Sequence, residues 1–333
     1  MRWSAQTTSE EAERRLPGYR DAAVVRTLDA PEALHTRFYE VHAKSALNKV
    51  PARMPWGWTI NPYRGCTHAC AYCFARPTHE FLGFDAGADF EREIVVKVNV
   101  PEVLRAELSR PSWKREHVAL GTNTDPYQWV EGRYELMRGI WQALRDHANP
   151  CSVLTKSPLL TRDIDLMLQI AERTQFTAYL SVPTIDERAW RESEPRTPSP
   201  RARLNALTQL AEAGLDVGVV IAPLMPGIND SPEQIDEIVG AALAAGAESI
   251  DALPLHLRGS TKDVFLRWLR ATRPELVERY DALYGTGSEM RRDEQRRLLE
   301  LVKPRGRTWE TRIRERFEAE AAPSAAPPQL PLF

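Results

Sequence analysis

Short apolar runs rich in β-branched or aromatic residues alternate six times with longer helical patterns once the chain passes Trp56. The runs predict strands over Gly57–Asn61, His117–Gly121, Cys151–Thr155, Phe176–Val182, Asp216–Pro223 and Ser249–Leu253. Helices are predicted near 101–110, 133–147, 160–173, 200–213, 232–245 and 262–272. Strand and helix recurring in this way specify a parallel sheet with right-handed crossovers. Several runs are apolar almost throughout, as strands covered on both faces require. The alternation admits an open doubly wound sheet or a barrel, and six units would make a partial barrel.

Polar, Pro-containing stretches follow the C-terminal ends of successive strands: 61–66, 122–126, 156–158, 183–184 and 223–227. Parallel α/β folds place their sites at that edge. His117 begins the second run, faces the other edge and reads as structural. Residues 1–55 are polar, Arg-rich and punctuated by proline, an N-terminal extension laid over a core at 56–273. A helical C-terminal extension is expected over 274–318. Its Arg291, Arg292, Arg296, Arg297, Lys303, Arg305 and Arg307 interleave with Glu289, Asp293, Glu294 and Glu300, the pattern of a solvated face. The last segment, 319–333, is Ala/Pro-rich and expected to be disordered.

With 44 Lys and Arg against 46 Asp and Glu, no chain-wide basic field attracts nucleic acid, although a local basic face is still allowed. No apolar run approaches the roughly 18 residues that cross a bilayer, and the N-terminus lacks the apolar stretch of a secretory signal. The expectation is a cytoplasmic protein with no membrane partner.

Three of the four cysteines fall within eight residues: Cys66, Cys70 and Cys73, spaced Cys-x3-Cys-x2-Cys after the first strand. Crowding of this kind in a reducing compartment points to metal chemistry before disulfides. Three thiolates on a four-iron, four-sulfur cube leave one iron open to a chelating molecule, whereas an electron-transfer cluster takes four cysteines. The alternative is a non-catalytic zinc knuckle completed by His68 or His79. Cys151 begins the third strand at the opposite edge and reads as a small core residue.

This spacing, with Tyr72 just before the last cysteine, resembles the signature of the radical S-adenosylmethionine superfamily. The strings Asn61-Pro-Tyr-Arg-Gly-Cys66, Gly121-Thr-Asn-Thr-Asp-Pro-Tyr-Gln128, Thr155-Lys-Ser157, Glu194-Pro-Arg196 and Ala222-Pro-Leu-Met-Pro-Gly-Ile-Asn-Asp230 resemble its spore-photoproduct-lyase-like branch, also labelled DNA repair photolyase. The similarity spans roughly Lys44 to Leu269.

The resemblance implies an α/β fold, a partial (β/α)6 TIM-like barrel of parallel strands with N- and C-terminal helical extensions. It implies an enzyme that holds a [4Fe-4S] cluster on Cys66, Cys70 and Cys73. That cluster reductively cleaves S-adenosylmethionine to a 5'-deoxyadenosyl radical, with electrons from a donor such as flavodoxin or ferredoxin. Tyr72 would pack near the adenine. Thr122, Thr124 and Asp125 would hold the methionine amino group, although Asp125 also suits the start of an Asp-Pro turn. Lys156 would meet the methionine carboxylate. Ser181 and Arg196 are candidates for ribose and carboxylate, and Pro223 with Met225 for the wall of the adenine pocket. Spore photoproduct lyases carry a hydrogen-donor cysteine near the second strand; Val118–Thr124 contains none, so that role is not carried over. A repair-like, lyase-like reaction on DNA is the leading expectation, with RNA, a peptide or a metabolite as the alternative.

The chain ends Gln329-Leu-Pro-Leu-Phe333. The peptide resembles the Gln-Leu-x-Leu-Phe motif with which bacterial polymerases and repair enzymes dock on the sliding clamp. Gln329, Leu330, Leu332 and Phe333 would make that contact: a polar tether presents apolar side chains to a groove, and water disfavours leaving them exposed.

Overall fold

The computed structural model describes residues 8–28, 36–50 and 56–302. Its strands are β1 (Thr8–Arg14), β2 (Ala23–Leu28), β3 (Arg37–Val41), β4 (Leu47–Lys49), β5 (Trp58–Ile60), β6 (Tyr63–Arg64), β7 (Glu93–Lys97), β8 (Val118–Leu120), β9 (Cys151–Thr155), β10 (Phe176–Ser181), β11 (Val217–Leu224) and β12 (Ser249–Pro254). The helices are α1 (Pro77–Glu80), α2 (Ala88–Arg92), α3 (Val100–Leu108), α4 (Glu131–Tyr134), α5 (Leu136–Asp146), α6 (Ile164–Ala171), α7 (Glu187–Ser193), α8 (Pro200–Glu212), α9 (Pro232–Ala244), α10 (Ser260–Thr272), α11 (Val277–Tyr284) and α12 (Arg292–Val302).

Seven strands form the larger sheet in the order β12-β11-β10-β9-β8-β5-β4. The six predicted runs are its six parallel strands, and β4 closes one edge antiparallel to β5. Every residue of β10 is buried, because the barrel interior covers one face and helices cover the other. Each crossover helix turns an apolar stripe to the sheet: in α5, Leu136, Met137, Ile140, Trp141 and Leu144 are buried at helical spacing. The start of α9 is fixed by a capping box between Ser231 and Gln234, with Pro232 in the first turn. The two edge strands do not pair, so the architecture is a partial barrel.

The N-terminal extension differs from expectation. It was expected to be helical, and its described residues form strands. A second sheet has the order β1-β2-β3-β7-β6. Its organiser is β7, Glu93-Ile-Val-Val-Lys97, buried along its whole length. β7 pairs parallel with β3 and antiparallel with β6. Leu16, Val25, Tyr39 and Phe84 pack on one face of this sheet, and Phe38, Tyr63, Ile94 and Val130 on the other. Arg37 and the Tyr39 hydroxyl both donate to the Glu93 carboxylate, at 2.7 and 2.6 Å.

The second sheet matters to the site because β6 stands between the first barrel strand and Cys66. The cysteine loop therefore leaves from both sheets at once. Cys66 N donates to Phe90 O at 2.9 Å, and Lys97 N donates to Pro62 O at 3.0 Å.

At the other end α11 and α12 close over β12, as the predicted helical extension requires. The Tyr284 hydroxyl donates to Leu255 O at 2.6 Å, and Arg297 pairs with Asp230. Lys303, Arg305, Arg307 and the terminal Gln329–Phe333 peptide lie outside the described residues. Among the described residues no helix is long and apolar enough to cross a membrane.

Candidate functional site

The C-terminal ends of β8 to β12 and the cysteine loop surround one cavity of about 220 Å³ that opens to solvent. Cys66, Cys70 and Cys73 line it together with residues at or just past the C-terminal ends of four successive strands: Asp125, Lys156, Ser181 and Pro223.

The loop is held by groups that were not singled out from the sequence. Arg76 is fully buried and donates to Cys70 O at 2.9 Å, to Ala86 O at 2.9 Å and to Glu91 at 2.7 Å. Gln128, also buried, accepts from Thr67 N at 3.0 Å and donates to Gly65 O at 3.2 Å. Thr261 Oγ1 donates to Cys73 O at 3.1 Å, and Ala71 N to Ser193 O at 2.9 Å. Such bonds satisfy a buried turn that belongs to no helix or sheet ladder. Arg76 and Gln128 leave no sequence signal, since each would ordinarily be solvated.

Burial pushes all three thiols up from the ordinary range. Ionised sulfur in this loop therefore needs a compensating cation, as a metal centre supplies. Among the described residues no three His, Cys, Asp or Glu side chains converge on a single-ion position. His68, one candidate for a fourth zinc ligand, lines the same cavity as the three cysteines. His68 turns to Asp125, with Nδ1 3.4 Å from Oδ2, and His79 is buried between Phe84 and Phe90. Cys151 is buried at the start of β9, remote from the cavity lining. Three soft donors on one loop, lining one cavity, suit an iron–sulfur cluster with an open corner.

Opposite charges stand on the far wall. Asp125 accepts from Thr155 Oγ1 at 2.6 Å, Lys156 N at 2.7 Å and Tyr127 N at 2.9 Å. It thus makes the Asp-Pro turn and also lines the cavity. Burial opposes its charge, but His68, Thr155 and the Lys156 amide outweigh that and hold the carboxyl below the usual range. Lys156 Nζ donates to Ser181 Oγ at 2.6 Å and pairs with Glu194 at 3.0 Å. Its ammonium lies 5.7 Å from the centroid of the Tyr72 ring. A carboxylate and an ammonium on one wall complement a zwitterionic amino acid.

Other predicted residues fall elsewhere. Thr122 lines a small separate cavity within the barrel, next to Ser152 and Tyr179. Thr124 is buried and donates to Tyr63 O at 2.8 Å, tying its loop to β6. Arg196 is exposed, because the Glu194-Pro-Arg196 turn directs Glu194 inward and Arg196 to solvent. The buried guanidinium here belongs to Arg203 of α8. Met225 is buried in the core, outside the lining. His117 bonds Ser152 at 2.9 Å at the opposite edge, as its structural reading requires.

Glu194 is fully buried beside Lys156 and Arg203. Burial opposes ionisation, yet the charges of Arg203 and Lys156 prevail and pull its carboxyl down to about 2, from an ordinary value of 4.5. A carboxylate with a depressed native pKa stabilises the fold above its ordinary value, and that stability is lost as pH falls through the native one. Urea denaturation of cluster-free protein should therefore lose on the order of 3 kcal/mol between pH 4.5 and 2 through this group. A variant carrying Glu194→Gln should lack that part of the slope; an unchanged slope would contradict the assignment.

With this geometry in hand, the chain can be set beside known proteins. The model of the radical SAM superfamily matches residues 60–239. The uncharacterized protein Rv2578c of Mycobacterium tuberculosis is 47% identical over 310 residues, covering 91% of each chain. The uncharacterized protein MJ0683 of Methanocaldococcus jannaschii is 28% identical over 206 residues, 60% of this chain and 71% of that one. The fold is that of spore photoproduct lyase complexed with dinucleoside spore photoproduct, at a TM-score of 0.59 and 17% identity, covering 80% of this chain and 78% of that one. A family match over more than half its length, around three cysteines gathered at the mouth of a partial barrel, makes this chain a member of the radical SAM superfamily.

Proposed function

We propose that this protein is a radical enzyme that binds a [4Fe-4S] cluster through Cys66, Cys70 and Cys73, cleaves S-adenosylmethionine there and acts on DNA. The carrying observation is that the three cysteines and the Asp125/Lys156 pair line one cavity. Superfamily membership implies an iron–sulfur cluster and S-adenosylmethionine; the number of cysteines in the loop favours the four-iron form with one open site. When bound and reduced, these groups supply a 5'-deoxyadenosyl radical that takes a hydrogen atom from substrate.

The chain's own residues bind and orient. Asp125 receives the methionine ammonium and Lys156 the carboxylate, with Ser181 fixing the lysine. Tyr72 and Pro223 bound the space for the adenosine. Leu154, Val220, Ala222 and Leu255 make the walls apolar, which excludes water from the reacting groups.

DNA as substrate is supported by the fold shared with a lyase solved on a dinucleoside lesion, and by the clamp-like Gln329–Phe333 peptide. The test is anaerobic reconstitution with iron, sulfide and reductant, followed by assay for 5'-deoxyadenosine. Wild-type protein should form it, and Lys156→Ala should bind S-adenosylmethionine more weakly with cluster content unchanged. Deuterated DNA should place deuterium in the product, whereas deuterium arriving only from RNA or peptide would move the substrate class. Deletion of 329–333 should abolish capture by a sliding clamp. Protein that takes up zinc without iron or sulfide would end the radical reading.

A further inference from the structure

Four side chains at the cavity floor, the buried Tyr72, Thr197 and Arg203 and the partly exposed Lys156, converge on the carboxylate of Glu194. One oxygen accepts from the Tyr72 hydroxyl and lies 3.0 Å from Lys156 Nζ. The other accepts from Arg203, and from Thr197 Oγ1 at 3.3 Å. Arg203 in turn donates to Ser181 O at 2.8 Å, Pro198 O at 3.0 Å and Thr197 Oγ1 at 2.5 Å. The four partners of Glu194 come from the cysteine loop, the end of β9, the connection between α7 and α8, and α8 itself.

We propose that Glu194 is a positioning residue that locks Tyr72 of the cysteine loop to Lys156 of the opposite wall, so that loop and cofactor-binding wall are held as one unit. The inference rests on the proposed S-adenosylmethionine site. Lys156 has three ammonium hydrogens; Glu194 and Ser181 engage two, which leaves one for a ligand in the cavity the side chain lines. A lysine stem is flexible, and fixing it before binding removes an ordering cost that the ligand would otherwise meet. Two cations around one carboxylate also leave the cluster net positive, which suits an incoming carboxylate. Burial is what makes the arrangement specific: Arg203 and Glu194 are both fully buried, where an unpaired charge is strongly disfavoured, so the pair has one stable geometry.

The test is a double-mutant cycle on S-adenosylmethionine affinity, read by equilibrium dialysis of labelled cofactor against anaerobically reconstituted full-length protein. Iron and sulfide content serves as control. Glu194→Leu combined with Arg203→Met removes both buried charges together, a replacement that well-packed cores tolerate. That variant should bind about tenfold more weakly, Lys156→Ala should bind about tenfold more weakly, and the combination of all three should be no weaker than Lys156→Ala beyond about twofold. If the charge-free variant does not fold, Glu194→Gln takes its place in the cycle. Losses that multiply across the cycle would make Glu194 merely structural and overturn the inference, as would affinity unchanged within about twofold when Glu194 is replaced. Wild-type protein with a full cluster and no affinity for the cofactor would overturn both the inference and the function it rests on.

Discussion

Cys66→Ala, Cys70→Ala and Cys73→Ala should each yield a folded protein that retains no stable cluster and forms no 5'-deoxyadenosine, while Cys151→Ala should keep both. The loop that carries the three sulfurs is fixed by Arg76, Gln128 and Thr261 through backbone contacts, none of which requires a thiol. Removing one sulfur should therefore spare the loop and subtract only a ligand. Even groups that merely support a ligand change metal affinity by about ten- to a hundredfold, so loss of a ligand itself lies beyond that range. Cys151 pairs with Val118 and Phe176 in the sheet, and Cys151→Ala removes one buried sulfur at about 1 kcal/mol. The readouts are iron and sulfide content, visible absorption and product formation. Full cluster content in Cys66→Ala would contradict the ligand set.

Gly121→Ala has the largest expected effect on folding. Gly121 ends the second barrel strand with φ +79°, and an added Cβ would stand 1.8 Å from Leu154 O. That carbonyl belongs to β9, next to β8 in the parallel sheet, and cannot move without breaking the ladder. The clash and the left-handed backbone act together, and a loss above about 4 kcal/mol is expected. Gly214→Ala is the control. Gly214 has φ +91° but nothing within 4 Å of the added carbon, so it should lose only about 1 kcal/mol. Chemical denaturation compares the two, and equal losses would show that the contact with β9 is not what matters.

Much of the barrel was legible because its strands are buried on both faces and its helices on one. Runs such as Cys151–Thr155 can sit nowhere but in a covered sheet, and their order along the chain sets their order in space. The three cysteines were legible through spacing. That Asp125, Lys156, Ser181 and Pro223 would line a cavity was legible because they stand at the C-terminal ends of strands, the edge where such sheets bind ligands. The second sheet was not. β1, Thr8–Arg14, is polar and reads as surface, and it is a strand because β2 pairs with it. β7 has three β-branched or apolar residues in a row, yet its neighbours β3 and β6 both lie well before it in the chain, on the far side of the cysteine loop.

The same limit explains the residues that were misplaced or overlooked. Arg196 and Arg203 are both arginines near the fourth strand, and nothing local says which is buried. The choice follows from Glu194, whose carboxylate faces α8 and leaves Arg196 in solvent. Thr124 looks like a ligand contact by position and is consumed instead by Tyr63 O.

By itself the sequence determined the repeating strand–helix architecture, the edge that carries the cavity and the clustering of three cysteines, because burial periodicity and cysteine spacing are written in neighbouring residues. The tertiary structure alone decided how that sulfur loop is held, which arginine goes inside and where Lys156 points. Those outcomes depend on charges and hydrogen bonds between residues distant in the chain, which have energies only once the fold has brought them together and excluded water.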